Sequence, residues 1–358
     1  TIMLRAVRSI SQRAMTTSSK RMDVAFIGLG AMGYGMAANL SRHRSDKDNG
    51  SVFVWNRTSS VAEQHASEFG TRAVSSLHEL RGCSVVFMCL PTSHEVESIC
   101  KRLVLDPGAI VADCTSGDPL MTRRIASSLS ERQIEMVDCP VSGGPAGGKS
   151  GQLASMIGGP AGAVSVVEPY LRRMAKKKIV QVGTIGSGHA VKAVNNTLNT
   201  AHLVIATEGL LALAKFGISP EVAIEAINGS SGRSLQTEER IPKEVLSREF
   251  DYGFPLGLML KDVTIAVDSV CTGEQSCGNV NGGGEAEETF KFFPLVKDVL
   301  QKAVNLESEQ ADYSRVVRPL EAEAGFELHA GRGVEGHYDA PSYRPTRKES
   351  SSRFEASA

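Results

Sequence analysis

Asp23-Val-Ala-Phe-Ile-Gly28-Leu-Gly30-Ala-Met-Gly33-Tyr-Gly-Met-Ala-Ala-Asn-Leu40 joins three local signals in one run. Its first residues have the apolar character of a parallel strand buried on both faces. That strand enters Gly28-x-Gly30-x-x-Gly33, and helix formers follow. In this setting Gly28 permits a tight turn, Gly30 lets a pyrophosphate approach backbone N–H groups, and Gly33 lets helix and strand pack closely. The helix N-terminus then turns its partial positive charge towards the phosphates. Gly28, Leu29, Gly30, Ala31, Met32 and Gly33 are therefore candidate contacts to a dinucleotide.

Downstream, the same alternation repeats. Ser51-Val-Phe-Val-Trp-Asn56 reads as the second strand. Apolar runs at 84–90, 109–114, 135–141, 153–157 and 178–182 read as further strands, with helical patterns such as 95–103 and 119–129 between most of them. Strands alternating with helices predict an α/β fold, a Rossmann-type doubly wound parallel sheet. From Gly188 onward the pattern is helical, which predicts an all-α C-terminal domain. A long helix runs from there to about Phe216. Ser219-Pro220 opens the next, Asn228-Gly229 stops it, and further helices are read over 256–270 and 290–304. The expected division is 23–185 for the dinucleotide-binding domain and 186–325 for the helical domain. The polar segment 273–288 reads as a flexible insertion and 329–358 as a disordered tail.

Ligands bind at the carboxyl edge of such a sheet. The second strand ends Asn56-Arg57-Thr58, where an enzyme using NAD usually carries an acid for the ribose 2′-hydroxyl. Arg57 can instead pair with a 2′-phosphate, so NAD or NADP is expected and Arg57 favours NADP. Leu90-Pro91 and Thr115-Ser116 sit at later strand ends. Asp138-Cys-Pro-Val-Ser142-Gly143-Gly144-Pro145 puts a hydroxyl beside unobstructed backbone N–H groups, a natural grip for a carboxylate. In Gly183-Thr-Ile-Gly186-Ser-Gly188-His-Ala-Val-Lys192-Ala-Val-Asn195-Asn196, Lys192 and Asn196 are four apart and share a helix face.

Composition narrows the partners. A formal net charge of −1 over 358 residues gives no sign of nucleic-acid binding, and no membrane-spanning run is evident. The seven cysteines are scattered without metal-ligand spacing, so a reduced compartment and no metal are expected. Residues 1–22 differ: Arg5, Arg8, Arg13, Lys20 and Arg21 punctuate apolar and hydroxyl residues, and no acid precedes Asp23. That is the composition of a mitochondrial transit peptide, which places the expected site of action in the matrix.

With those motifs in order from Gly28 to Asp262, the chain resembles the β-hydroxyacid dehydrogenase family over about residues 22–321. Asp113-Cys-Thr115-Ser116, Ser230-Ser-Gly-Arg-Ser234 and Leu260-Lys261-Asp262 belong to the match. The resemblance implies a dinucleotide domain, a helical domain that builds a homodimer or homotetramer, and an active site between them. It implies that Lys192 is the catalytic lysine and that Ser142, Gly143, Gly144 and Asn196 bind a small carboxylate substrate. Thr115 falls beside the nicotinamide, and Lys261 falls in the cofactor site, where its charge can also reach the carboxylate.

The implied reaction is reversible NAD(P)-dependent oxidation of 3-hydroxyisobutyrate, or a close 3-hydroxy acid, to its semialdehyde, as in valine degradation. Lys192 would act as general acid and base while Asn196 orients the reacting oxygen. Other chemistries stay open: an NADPH-dependent semialdehyde or glyoxylate reductase, a sugar-acid dehydrogenase, or a non-catalytic dinucleotide-binding module.

Overall fold

The computed structural model describes residues 23–42, 50–272 and 289–330. The expected transit peptide (1–22) and insertion (273–288) lie outside them, as does the expected tail beyond Ala330. Ala330 itself is tied down, its N–H donating to Leu246 O at 3.1 Å.

Strand β1 (Val24–Ile27) lies inside the sheet. On one side run β2 (Val52–Trp55) and β3 (Arg72–Ala73), joined by α2 (Ser59–Phe69); on the other run β4 (Val85–Met88), β5 (Ile110–Asp113) and β6 (Glu135–Asp138). These six strands are parallel, in the order β3-β2-β1-β4-β5-β6. Both faces are covered, which is why the strands read as continuous apolar runs. Val24, Phe26, Val85 and Phe87 pack towards α1 (Gly33–Arg42) and α6 (Ala161–Met174). Ala25, Ile27, Val86 and Met88 pack towards α3 (Ser93–Arg102) and α4 (Pro119–Ser130). Phe26 and Phe87, both fully buried, stack with ring centroids 6.3 Å apart. Burial of one such ring contributes roughly 1.5–3 kcal/mol.

The expected strand over 135–141 is interrupted. Pro140 has no N–H to give the ladder, so β6 stops at Asp138 and β7 (Val141–Ser142) resumes beyond it. Both pair antiparallel with β8 (Ala154–Gly158) in one register, Asp138 with Gly158 and Ser142 with Ala154. The sheet is therefore parallel-dominated, and β8 runs against its first six strands. β9 (Lys178–Gly183) then adds parallel to β8. The glycine-rich stretch after Ser142 forms the short helix α5 (Gly144–Ser150). Tertiary contact overrides the poor helix propensity of glycine there. Asn39 of α1 donates to Gly148 O at 2.9 Å, and the two backbones meet at Gly35 and Gly148.

Helix α7 (Ser187–Lys215) leaves the sheet and runs about 43 Å at the ordinary helical rise. By length and composition it could cross a membrane. Here its first turns pack on β8 and β9 and its remainder enters a second core. Around it lie α8 (Pro220–Asn228), a π-helix (Gln236–Leu246), α9 (Leu256–Ile265) continued by a π-turn (Ala266–Val270), α10 (Phe292–Leu306) and α11 (Arg318–Ala324). Leu203, Leu210, Ile241, Val245, Val263, Leu300 and Tyr313 fill that core. One helix thus belongs to both halves.

Candidate active site

The strand order reverses direction between β2 and β4, on either side of β1, and that switch point opens a crevice at the carboxyl edge. The loop after β1 fits a pyrophosphate. Nothing lies within 4 Å of the place where a side chain on Gly30 would begin, whereas a Cβ on Gly33 would sit 1.9 Å from Gly28 O. Among the described residues the N–H groups of Gly30, Ala31 and Met32 have no protein acceptor. The adjacent Leu29 N–H is held by Asn56 Oδ1 at 3.0 Å, and Asn56 Nδ2 donates to Thr58 O at 3.1 Å. Asn56 thus ties the ribose edge to the phosphate loop. Arg57 and Thr58 are exposed beside it, and Arg57 makes no ion pair with any described residue. On the far side, the Leu90 N–H donates to Thr115 Oγ1 at 3.1 Å, Leu90 touches Gly28, and Pro91 is exposed at the rim.

Across the cleft, the N-terminus of α7 is capped from outside its own chain segment. Asp138 Oδ1 accepts from Gly186 N–H at 2.7 Å and Oδ2 from His189 N–H at 2.8 Å. These satisfy two of the donors a helix start leaves open. Burial pushes the Asp138 carboxyl above its ordinary range, and the His189 ring and the two amides oppose that rise. His189 itself is fully buried, with Nδ1 2.7 Å from Thr122 Oγ1 and Nε2 3.9 Å from Asp113 Oδ2. The last residue of β6 therefore sets where α7 begins.

One turn further in, Lys192 and Asn196 are buried on the same face. Asn196 Nδ2 donates to Asp262 Oδ2 at 2.6 Å. Lys261 Nζ is 2.8 Å from Asp262 Oδ1, an ion pair off the hydrogen-bond angle, and it donates to Ser116 O across the cleft. Lys192 Nζ has no hydrogen bond among the described residues. Desolvation lowers its pKa, Asp262 opposes that, and the neighbouring Lys261 lowers it further. The site can therefore hold an amine that loses its proton more readily than an exposed lysine.

Ser142 is half-buried at the end of β7. Gly143 and Gly144 both have positive φ, 138° and 64°, a conformation that favours glycine. The turn meets the helical domain at Tyr252, whose hydroxyl oxygen is 3.0 Å from where a Cβ on Gly144 would lie. Among the described residues it makes no hydrogen bond to Lys192 or Asn196.

Two family models match in succession. Residues 23–186 match one described as the NAD binding domain of 6-phosphogluconate dehydrogenase. Residues 186–320 match one described as the NAD-binding of NADP-dependent 3-hydroxyisobutyrate dehydrogenase. The chain is 32% identical to a 2-(hydroxymethyl)glutarate dehydrogenase of Eubacterium barkeri, covering 87% of this chain and 99% of that protein. The chain belongs to the β-hydroxyacid dehydrogenase family. Its relatives include a probable mitochondrial 3-hydroxyisobutyrate dehydrogenase of Dictyostelium discoideum, 32% identical over 72% of this chain and 81% of that protein. The solved Mycobacterium tuberculosis 3-hydroxyisobutyrate dehydrogenase with L-serine superimposes with a TM-score of 0.72, at 25% identity, over 84% of this chain and 99% of that one. The β-hydroxyacid dehydrogenase is thus an NAD(P)-dependent oxidoreductase acting on CH–OH groups.

Asp113, Asp138 and His189 stand inside motifs read from the sequence, yet none had a task there, and Arg240 and Tyr252 stand outside those motifs. For Asp138 a signal existed: an acid ending an apolar strand is costly unless backbone donors meet it. The same signal holds for Asp113, which ends the buried strand Ile110–Asp113; for His189, Arg240 and Tyr252 no local spacing pointed to the cleft.

Proposed function

We propose that this dehydrogenase oxidises 3-hydroxyisobutyrate, or a close 3-hydroxy acid, to its semialdehyde, with Lys192 as general base and, in reverse, general acid. The observation that carries the reading is Lys192 itself, 7% exposed, lowered in pKa by burial, and one turn from an Asn196 whose amide is fixed by Asp262. Bound nicotinamide would supply the hydride acceptor or donor. Ser142 and the backbone of Gly143 and Gly144 would hold the carboxylate, Asn196 would orient the reacting oxygen, and Lys192 would take or return its proton. Acid–base help of this kind is typically worth about 10²–10⁴ in rate.

The open amides of Gly30, Ala31 and Met32 suit the pyrophosphate, and an exposed Arg57 without an ion-pair partner among the described residues favours a 2′-phosphate. That observation supports a second reading, an NADPH-dependent reductase of a small semialdehyde. A panel of 3-hydroxyisobutyrate, serine, threonate, 2-(hydroxymethyl)glutarate and succinic semialdehyde, each with NAD and NADP forms, separates the readings. Turnover of a 3-hydroxy acid is the expected result. Turnover of none would leave a binding module.

The exposed apolar residues Val191, Leu198 and Ile205 recur at seven-residue spacing along one face of α7, which suits a homodimer or homotetramer seam. Leu198→Glu should lower the mass read by light scattering. Residues 1–22 are proposed to direct the chain to the mitochondrial matrix, in keeping with a role in valine degradation. A reporter carrying them should enter mitochondria.

A further inference from the structure

A carboxylate substrate needs a counter-charge, and the Ser142-Gly143-Gly144 turn supplies only dipoles. Of the lysines in the cleft, Lys192 must be neutral to act as a base. Lys261 is 2.8 Å from Asp262 and also donates to Ser116 O, so its charge is already met. A third cation stands beside the turn. The Arg240 guanidinium lies over the Tyr252 ring, 3.6 Å from its centroid, and the hydroxyl of that ring reaches Gly144.

The polar ends of both side chains are open among the described residues. Among the described residues Arg240 forms no ion pair or hydrogen bond and the Tyr252 hydroxyl has no partner. The acid one turn on from Arg240, Glu244, is occupied instead: its Oε2 accepts the Asp251 N–H at 2.8 Å. Tyr252 is held edge-on by the buried Tyr313, with ring centroids 5.5 Å apart. The face of its ring fixes the arginine by a cation–π contact, which leaves the guanidinium edge free for an oxyanion. Packing alone would account for the stack, but not for a hydroxyl and a cation both left open at the one turn that offers a carboxylate grip.

We infer that Tyr252 and Arg240 are the helical-domain half of the substrate carboxylate site, facing Ser142, Gly143 and Gly144 across the cleft. The inference rests on the function proposed above and adds the charge that reading lacked. It moves the counter-ion role from Lys261 to Arg240. It also makes the site depend on the two domains being held together, since one jaw belongs to each.

The test compares an acid with its uncharged amide, because only the acid can use a cation. Wild type, Arg240→Gln and Arg240→Lys, each as the full chain with NADP(H), are assayed on 3-hydroxyisobutyrate and 3-hydroxyisobutyramide. Arg240→Gln should shrink the acid-to-amide ratio of kcat/KM by about tenfold to a hundredfold, chiefly through KM, the worth of a charge-assisted hydrogen bond. Arg240→Lys should recover part of it. An unchanged ratio would overturn the inference, as would equal losses on acid and amide, which mark a merely structural role. If no hydroxy acid is turned over, the proposed function fails by itself. Calorimetric affinities of isobutyrate and isobutyramide for the same three proteins then decide this inference by the same ratio.

Discussion

The two halves of the cleft are built on different principles. The dinucleotide half is made of backbone: a glycine loop with three open amides, braced by Asn56 and by strand ends that meet at Leu90 and Thr115. The helical half is made of buried polar side chains, Lys192, Asn196 and Asp262, of which Asn196 is positioned by Asp262. Backbone sites tolerate changes in neighbouring charge, whereas a chain of buried polar groups fails when one member is lost. Substitutions in the second half should therefore spoil turnover while sparing cofactor affinity.

The sharpest break is at Asp262. Asp262→Ala takes the acceptor from Asn196 and frees Lys261. Misplacement on the scale of 1 Å can cost about 10²-fold, so kcat should fall by that order while the dissociation constant for NADP, read by fluorescence titration, stays within a few-fold. Comparable losses in both would erase the distinction between the halves.

Asp138 tests the seam. Asp138→Leu leaves the Gly186 and His189 amides without their acceptor inside the protein, a cost of about 1–3 kcal/mol for each buried group left unsatisfied. Denaturant unfolding should show a loss of about 2–6 kcal/mol for the two amides together, and kcat should fall as well because α7 carries Lys192. A stable variant with full activity would mean that the cap does not hold the helix in place.

The smallest effect concerns Lys192 and stability. Its pKa in the folded chain lies below 10.5, so the unfolded chain holds more protons between the folded value and 10.5. Stability contributed at this position therefore rises with pH through that window, and is lowest below it, where the charge must be buried. Lys192→Met should unfold at a higher temperature than wild type at neutral pH, with the gap closing as pH approaches 10.5. A gap that widened with pH would have the wrong sign.

The dinucleotide half was legible in the sequence because its signals are local. A strand, a glycine spacing and a helix lie within Asp23–Leu40, and buried strands alternate with helices along the rest of that half. The face shared by Lys192 and Asn196 was legible for the same reason, since helical spacing is local too. What escaped was set by contacts between distant segments. Pro140 breaks a strand that reads as continuous, and β8 turns back along β6 through its pairing with Ser142 rather than through any mark of its own. The π-helix at Gln236–Leu246 contains Pro242, which reads as a helix breaker, yet it places Arg240 against Tyr252. Neither residue carries a spacing rule that points to Gly144.

The central claim is that a buried, readily deprotonated Lys192 moves the proton. Its most direct test is the pH dependence of kcat for oxidation in wild type and Lys192→Ala. In wild type the rate should rise through an apparent pKa below 10.5, and the variant should lose about 10²–10⁴ in kcat together with that limb of the profile. Near-normal turnover in Lys192→Ala with the same pH limb retained would contradict the account.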